Sequence, residues 1–299
     1  MSYNHLCDQA REVVCADART RLRFAHSERW IGYTRAVEAV EHLEWLYDHP
    51  PRSRMPNMLI CAPTNNGKTT IAKRFLRRYP SRPSDDGEHE ICPVLFVDIP
   101  HTPDPQRLYH AILATMNIYL PSGRATSAYE AETLRHLRRM QTRMLFLDDL
   151  QNLLAGSIVR TRQSLNLIRF IGNALQIPIV ALGTQEALQV MQADPQTANR
   201  FEVFPIPLWK LDDEYLTLLD SFEKLLPLRM ASGLSDGPFA ARVHTLSEGF
   251  LGEIAAILLR AFRRALKDGQ ERITLDTLDA VRFVPPSRRR VEAVQALVA

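Results

Sequence analysis

Ala62-Pro63-Thr64-Asn65-Asn66-Gly67-Lys68-Thr69 is the stretch that decides the fold. The apolar run Met58-Leu59-Ile60-Cys61 precedes it, and Ile71-Ala72-Lys73-Arg74-Phe75-Leu76 follows with a helical pattern. Strand, tight polar turn and helix form the context in which a phosphate-binding loop works. Backbone N–H groups of the turn and of the first helical turn point at an anion, and the helix dipole favours negative charge there. Gly67 admits close backbone approach. Lys68 is placed to reach the β- and γ-phosphates of a nucleotide, and the Thr69 hydroxyl to ligate Mg²⁺. Pro63, Thr64, Asn65, Asn66 and Thr70 complete the candidate nucleotide-binding set. Ala62 stands where the G-x-x-x-x-G-K-[ST] pattern has its first glycine, which is tolerable if that position keeps a negative φ.

The second half of such a site lies further along. Met144-Leu145-Phe146-Leu147 reads as a buried strand that ends in Asp148-Asp149, a Walker B pattern. It places Asp148 at the edge where parallel strands end, beside the loop, to hold Mg²⁺ through water. Asp149 can then polarise the attacking water. Thr184 ends the apolar run Ile177 to Leu182 at the same edge. Its hydroxyl either orients the lytic water or caps the helix that starts at Gln185-Glu186-Ala187. Arg200 precedes a short run, Phe201 to Ile206. It is either a finger reaching into a neighbouring subunit's site or one member of a surface ion pair.

The remaining sequence limits the alternatives. With 45% apolar and 24% charged residues the composition is that of a globular protein. No apolar run approaches a membrane span, and Met1 to Asp17 is too polar for a secretory signal. Cys7, Cys15, Cys61 and Cys92 form neither a C-x-x-C pair nor a disulfide framework. A reducing cytoplasm is expected, with Cys61 a small buried hydrophobe. A net charge of +3 says little about nucleic acid, so local clusters carry that question.

Apolar strands at 58–61, 94–97, 144–147, 177–182 and 201–206 alternate with helical patterns. This predicts an α/β fold with a five-stranded parallel sheet between helices. After Leu211 only helical patterns remain, at 212–230, 238–268 and 273–283. The expected organisation is a helical N-terminal extension over 1–28, a nucleotide-binding core over 29–210, a small helical lid over 211–284 and a basic tail over 285–299, opened by Pro285-Pro286 and Arg288-Arg289-Arg290.

Phosphate loop, Walker B strand, sensor-like strand end, pre-strand arginine and helical lid together resemble an AAA+ ATPase. The resemblance is closer to the TniB family, the TnsC-like ATPase subunits of transposition systems. Arg29-Trp30-Ile31-Gly32-Tyr33, Pro63-Thr64-Asn65-Asn66-Gly67-Lys68, Leu153-Leu154-Ala155-Gly156, Leu165-Asn166-Leu167-Ile168-Arg169-Phe170, Gly183-Thr184 and Arg200-Phe201-Glu202 carry it, over roughly residues 25–285. The resemblance implies ATP-dependent assembly of a ring or helical homo-oligomer on duplex DNA. It also implies recruitment of a DDE-type transposase and, in some systems, a target-selection partner.

Carried over by residue, Lys68 and Thr69 would bind phosphate and Mg²⁺, Asp148 and Asp149 would be the Walker B pair, Thr184 the first sensor and Arg200 the finger. Ile31 and Tyr33 would line the adenine, although core packing explains Trp30 and Tyr33 as well. The sequence departs from the pattern at Ala62 and at Asp149, where AAA+ ATPases usually carry Glu. It departs again at Glu248 to Ala255, which lacks the arginine that many lids send to the γ-phosphate. Arg107, Arg124, Arg160 and Arg162 are candidates for sequence-independent DNA contact, or they belong to solvated faces. Two alternatives share the core. A replication initiator or helicase loader would usually add a DNA-binding module after the lid, for which the stretch beyond Phe283 is expected to be too short. A nucleotide-gated adaptor would bind ATP and assemble without appreciable hydrolysis.

Overall fold

Burial explains which apolar runs became strands. In the computed structural model, which describes residues 3–121 and 123–298, five strands form one parallel sheet: β1 (Asn57–Cys61), β4 (Val94–Asp98), β5 (Met144–Asp148), β6 (Ile179–Gly183) and β7 (Phe201–Pro205), in the order β4-β5-β6-β1-β7. All five residues of β5 and of β6 are buried. Inner strands covered by helices on both faces have no polar side, so their residues are apolar without alternation. At the edge, β7 buries only Phe201 and Phe204. A two-stranded antiparallel hairpin, β2 (Arg82–Pro83) and β3 (Glu90–Ile91), occupies the polar segment before β4.

Two units make up the chain, Thr34–Pro207 and Met1–Tyr33 with Leu208–Ala299. The first holds the sheet. Its helices are α3 (Thr34–Asp48), α4 (Lys68–Leu76), α5 (Pro105–Thr115), α6 (Thr126–Arg139), α7 (Ile158–Leu175), α8 (Glu186–Gln192) and the single turn α9 (Pro195–Ala198). In α3, Ala36, Ala39, Val40, Leu43, Leu46 and Tyr47 are buried, the single stripe that helical periodicity requires. Phe75 of α4 packs on Phe146 of β5, ring centroids 5.8 Å apart, and burial of each such side chain contributes about 1.5–3 kcal/mol.

The second unit joins the leader helices α1 (Asp8–Val13) and α2 (Ala18–His26) to α10 (Asp213–Leu225), α11 (Gly237–Ser247), α12 (Leu251–Lys267), α13 (Leu275–Ala280) and α14 (Arg289–Val298). Residues 1–28, read as an extension, thus lie with the C-terminal helices: Leu22 and Ala25 pack against the same core as Ile254 and Phe262. The helical pattern read over 238–268 is two helices. Glu248 (φ 52) and Gly249 (φ 77) take left-handed backbone and end α11, as helix C-termini commonly do. The stretch read as a basic tail contains α14, held by Arg289, whose guanidinium donates to the Glu253 carboxylate. Ser122 and Ala299 fall outside the described residues.

Candidate nucleotide site

The parallel order brings three chain segments to one edge. β6 lies between β1 and β5, with Cys61 beside Gly183 and Leu147 beside Ala181. The loop after β1, the acidic end of β5 and Thr184 therefore meet where the strands finish, the usual ligand position in open α/β sheets.

The loop is shaped by two left-handed residues, Asn65 (φ 60) and Gly67 (φ 88). Ala62 is not among the positive-φ residues and is buried, so this position does not need glycine. Gly67 is the N-cap of α4 and supplies no side-chain cap. By contrast Asp104, Ser157 and Asp212 cap α5, α7 and α10. The first N–H groups of α4 are thus left for an anion.

Asn66 is buried and its amide donates to the carbonyls of Ile206 (3.2 Å) and Pro207 (3.0 Å), fastening the loop to the segment after β7. Lys68 is buried, and its Nζ donates to the carbonyls of Ala62 (2.8 Å) and Pro63 (2.9 Å). Burial pulls its pKa down, and the carboxylates of Asp148 and Asp149 oppose the shift.

The Thr69 hydroxyl donates to Asp148 Oδ2 at 3.0 Å. Burial pushes the Asp148 pKa up, against the lowering effect of the hydrogen bonds from the Asp149 N–H and Thr69. A buried carboxylate beside a hydroxyl, at the mouth of an uncapped helix, fits a hydrated divalent cation that accompanies nucleotide phosphates. Among the described residues no three His, Cys, Asp or Glu cluster as an all-protein metal site.

Asp149 sits in left-handed backbone (φ 58, ψ 46), and its N–H donates to Asp148 Oδ1 at 2.8 Å. A short acidic side chain tolerates this conformation better than a longer one. Its carboxylate accepts from Gln151 Nε2 at 2.9 Å, while Gln151 Oε1 accepts the Thr184 N–H at 3.1 Å. Gln151 was not picked out from the sequence; its place, two residues beyond the Walker B pair, was the available signal. The Thr184 hydroxyl donates to Glu186, so it both ends β6 and ties into the first turn of α8. Cys61, expected as a buried hydrophobe, is half-buried and donates from Sγ to the Thr184 carbonyl at 3.4 Å.

Arg200 is elsewhere. Asn57 lies beside Phe201 and Cys61 beside Pro205, so Arg200 stands where β7 begins and the phosphate loop where β1 ends. It is exposed enough to reach outward and donates to Asn173 Oδ1 at 2.6 Å. Burial first, then Arg54 and Arg169, lower its pKa. Arg169, which donates to Asn166 and Gln196, adds to a cationic group at this edge that the sequence reading had placed only within a family motif.

Of the four candidate DNA residues, Arg107 lies in the first turn of α5 and Arg124 just before α6, where its carbonyl accepts from Gln106 Nε2 at 3.4 Å. Arg160 begins α7 after Gly156, whose backbone abuts Pro103. Each of these three is exposed. Arg162 is also exposed, but Nε is engaged with the Ala193 carbonyl at 2.8 Å. Ile31 and Tyr33 are in the other unit. There Ile31 packs on the helical core and Tyr33 meets Trp209 edge-on at 5.0 Å. The Tyr33 hydroxyl is buried with no partner among the described residues, and burial pushes its pKa to about 12.

A family model described as "Bacterial TniB protein" matches residues 21–211, which include every residue of the loop, the Walker B pair, Thr184 and Arg200. The chain belongs to the TniB family. Solved structures place this TniB protein's fold more broadly. It is similar to the Aeropyrum pernix ORC2 protein in ADPNP–ADP complexes (16% identity over 87% of this chain and 71% of that one, TM-score 0.58). It also resembles Cdc6p from Pyrobaculum aerophilum (19% identity, 84% and 67%, TM-score 0.57) and Drosophila ORC bound to DNA (14%, 87% and 64%, TM-score 0.55). At these identities the likeness is one of fold, a five-stranded parallel sheet between helices. No curated protein matches the TniB chain in sequence. No described helix is long and apolar enough to cross a membrane.

Proposed function

We propose that this TniB protein is a regulatory ATPase of DNA transposition. ATP and Mg²⁺ would bind at the loop, favour a ring or helical homo-oligomer on duplex DNA, and present a platform to a DDE-type transposase and, in some systems, a target-selection protein. Hydrolysis would dismantle the assembly. The observation that carries the reading is the Thr69–Asp148 contact at the uncapped start of α4, beside a buried Lys68.

Each residue has a chemical task in this reading. Lys68 would exchange its two carbonyl partners for phosphate oxygens. Thr69 and Asp148 would hold a hydrated cation, which would supply charge neutralisation on the β- and γ-phosphates. Asp149 would accept a hydrogen bond from the attacking water, and Thr184 would border it. Arg200, at the opposite sheet edge from its own loop, would serve a neighbour's site. The assignment of Ile31 and Tyr33 to adenine rests on the family resemblance. The exposed Arg107, Arg124 and Arg160 would face DNA phosphates, as in sequence-independent binding; Arg162 would join them only by releasing Ala193.

Negative-stain imaging of the full chain with duplex DNA tests the proposal, with and without a non-hydrolysable ATP analogue. Rings or filaments that need nucleotide and vanish in Lys68→Ala are expected. A monomer that binds nucleotide yet never assembles on DNA would remove assembly from the mechanism and leave a nucleotide-gated adaptor.

A further inference from the structure

The Gln151 side chain hydrogen-bonds both the Asp149 carboxylate and the Thr184 N–H that follows β6. We propose that it is a positioning residue: it orients the Asp149 carboxylate and ties that orientation to the end of β6. The proposal rests on the reading of Asp149 as the group that polarises water.

The amide can adopt only one orientation. The Thr184 N–H is a donor, so the atom 3.1 Å away is the Gln151 oxygen; the Asp149 carboxylate is an acceptor, so the atom 2.9 Å away is the Gln151 nitrogen. Both contacts are met at once only by a side chain that carries an acceptor and a donor on a planar group of this length. Glutamate would keep the first and set like charges together at the second.

Position matters here because of what Asp149 lacks. Its backbone is already pinned in left-handed geometry by the N–H donated to Asp148. The carboxylate is one methylene shorter than the glutamate common at this place, so its reach is fixed by the backbone and its direction by whatever holds the oxygen. Gln151 holds it. A free carboxylate would sample rotamers, and misplacement of a reacting group by about 1 Å can cost on the order of a hundredfold in rate.

The other end of the bridge is equally specific. Gly183 leaves the space: a Cβ there would lie 3.1 Å from Gln151 Oε1 and 2.4 Å from Ala187 Cβ. The Thr184 N–H follows directly, and Cys61 Sγ, on the strand that enters the phosphate loop, donates to the Thr184 carbonyl. A shift of the β6 end would therefore be felt at Asp149 through one side chain.

The test is steady-state phosphate release by the full chain with duplex DNA, together with affinity for a fluorescent ATP analogue. Wild type, Gln151→Glu, Gln151→Leu, Asp149→Asn and the Gln151→Leu/Asp149→Asn double variant are compared. Gln151→Glu, nearly isosteric and still able to accept from Thr184, is expected to lower kcat about tenfold or more, with KM and analogue affinity within about twofold. In the Asp149→Asn background, Gln151→Leu is expected to change turnover by less than about twofold, because the two residues act as a unit. A Glu variant with wild-type kcat, or equal losses from Gln151→Leu in both backgrounds, overturns the proposal while leaving Asp149 in its role. Turnover indifferent to Asp149→Asn overturns the water-activation reading itself, and the positioning role with it.

Discussion

Lys68 and Asp148 are buried charges facing one another across the start of α4, and burial moves their pKa values in opposite directions, down for the lysine and up for the aspartate. Each shift says that the surroundings disfavour the charged form, which is the condition of a site built for ligands that bring compensating charge. Asp148→Asn is informative because the amide can keep both contacts: its oxygen accepts the Asp149 N–H and its NH₂ donates to the Thr69 hydroxyl. Without nucleotide, the variant's denaturation midpoint near neutral pH should rise, since a buried ionised carboxylate has been removed. Mg²⁺-dependent nucleotide affinity should fall. A lower midpoint would show that the carboxylate is stabilised by charge in the empty site, contrary to the direction of its shift. The Ala62 departure is resolved at this scale as well, because left-handed backbone falls on Asn65 and Gly67 instead.

At the scale of elements, the unit β1–loop–α4 was legible because three local rules agree on it: an apolar run, a turn with glycine and a helical stripe. The Walker B strand was legible for the same reason, since an inner strand buried on both faces cannot hide its apolar run. What escaped depends on contacts between distant segments. The place of Gln151 two residues after Asp149 is its one local mark, and its partners are fixed only once β6 lies beside β5. The break inside 238–268 was missed because Glu248 is an ordinary helix former; the left-handed turn is imposed where Gly249 meets the Trp209 backbone, which a Cβ would approach to 2.4 Å. Asn66 reads as a phosphate-loop residue from the sequence, but its amide binds the carbonyls after β7. Asn66→Ala should cost about 1–3 kcal/mol, the penalty of carbonyls left without donors, read as a lower urea midpoint. Nucleotide affinity should weaken at the same time, because the loop loses its anchor. An unchanged midpoint would show that water replaces the amide fully.

At the scale of the whole molecule, the helical unit is discontinuous in sequence, completed by leader and C-terminal segments with the α/β unit inserted between them. Its closure depends on contacts of very large sequence separation. Arg21 makes the most telling one: its side chain is 4% exposed, it donates to both Glu271 oxygens at 2.9 and 2.6 Å, and it caps the Pro227 carbonyl. Cys7 N–H and the His5 ring reach the carbonyls of Lys224 and Leu228 nearby. Breaking a buried pair strands a charge, which costs about 3–5 kcal/mol; Glu271 retains the Arg229 N–H and some solvent, so Arg21→Ala belongs at about 3 kcal/mol, the low end of that range. The hydrogen bond from Arg21 is the main cause of a lowered Glu271 pKa. A carboxylate whose folded pKa is depressed contributes stability that is present above its unfolded value, near 4.3, and is lost as pH falls through the folded value. Wild type and Glu271→Gln should therefore differ most in urea midpoint at neutral pH and converge as the pH falls through the depressed folded value. A difference that stays constant throughout an acid titration would mean that the pair matters through packing and carbonyl capping rather than charge. The leader would then be held by the Arg21, Cys7 and His5 contacts with the carbonyls of Pro227, Lys224 and Leu228 and by its apolar neighbours.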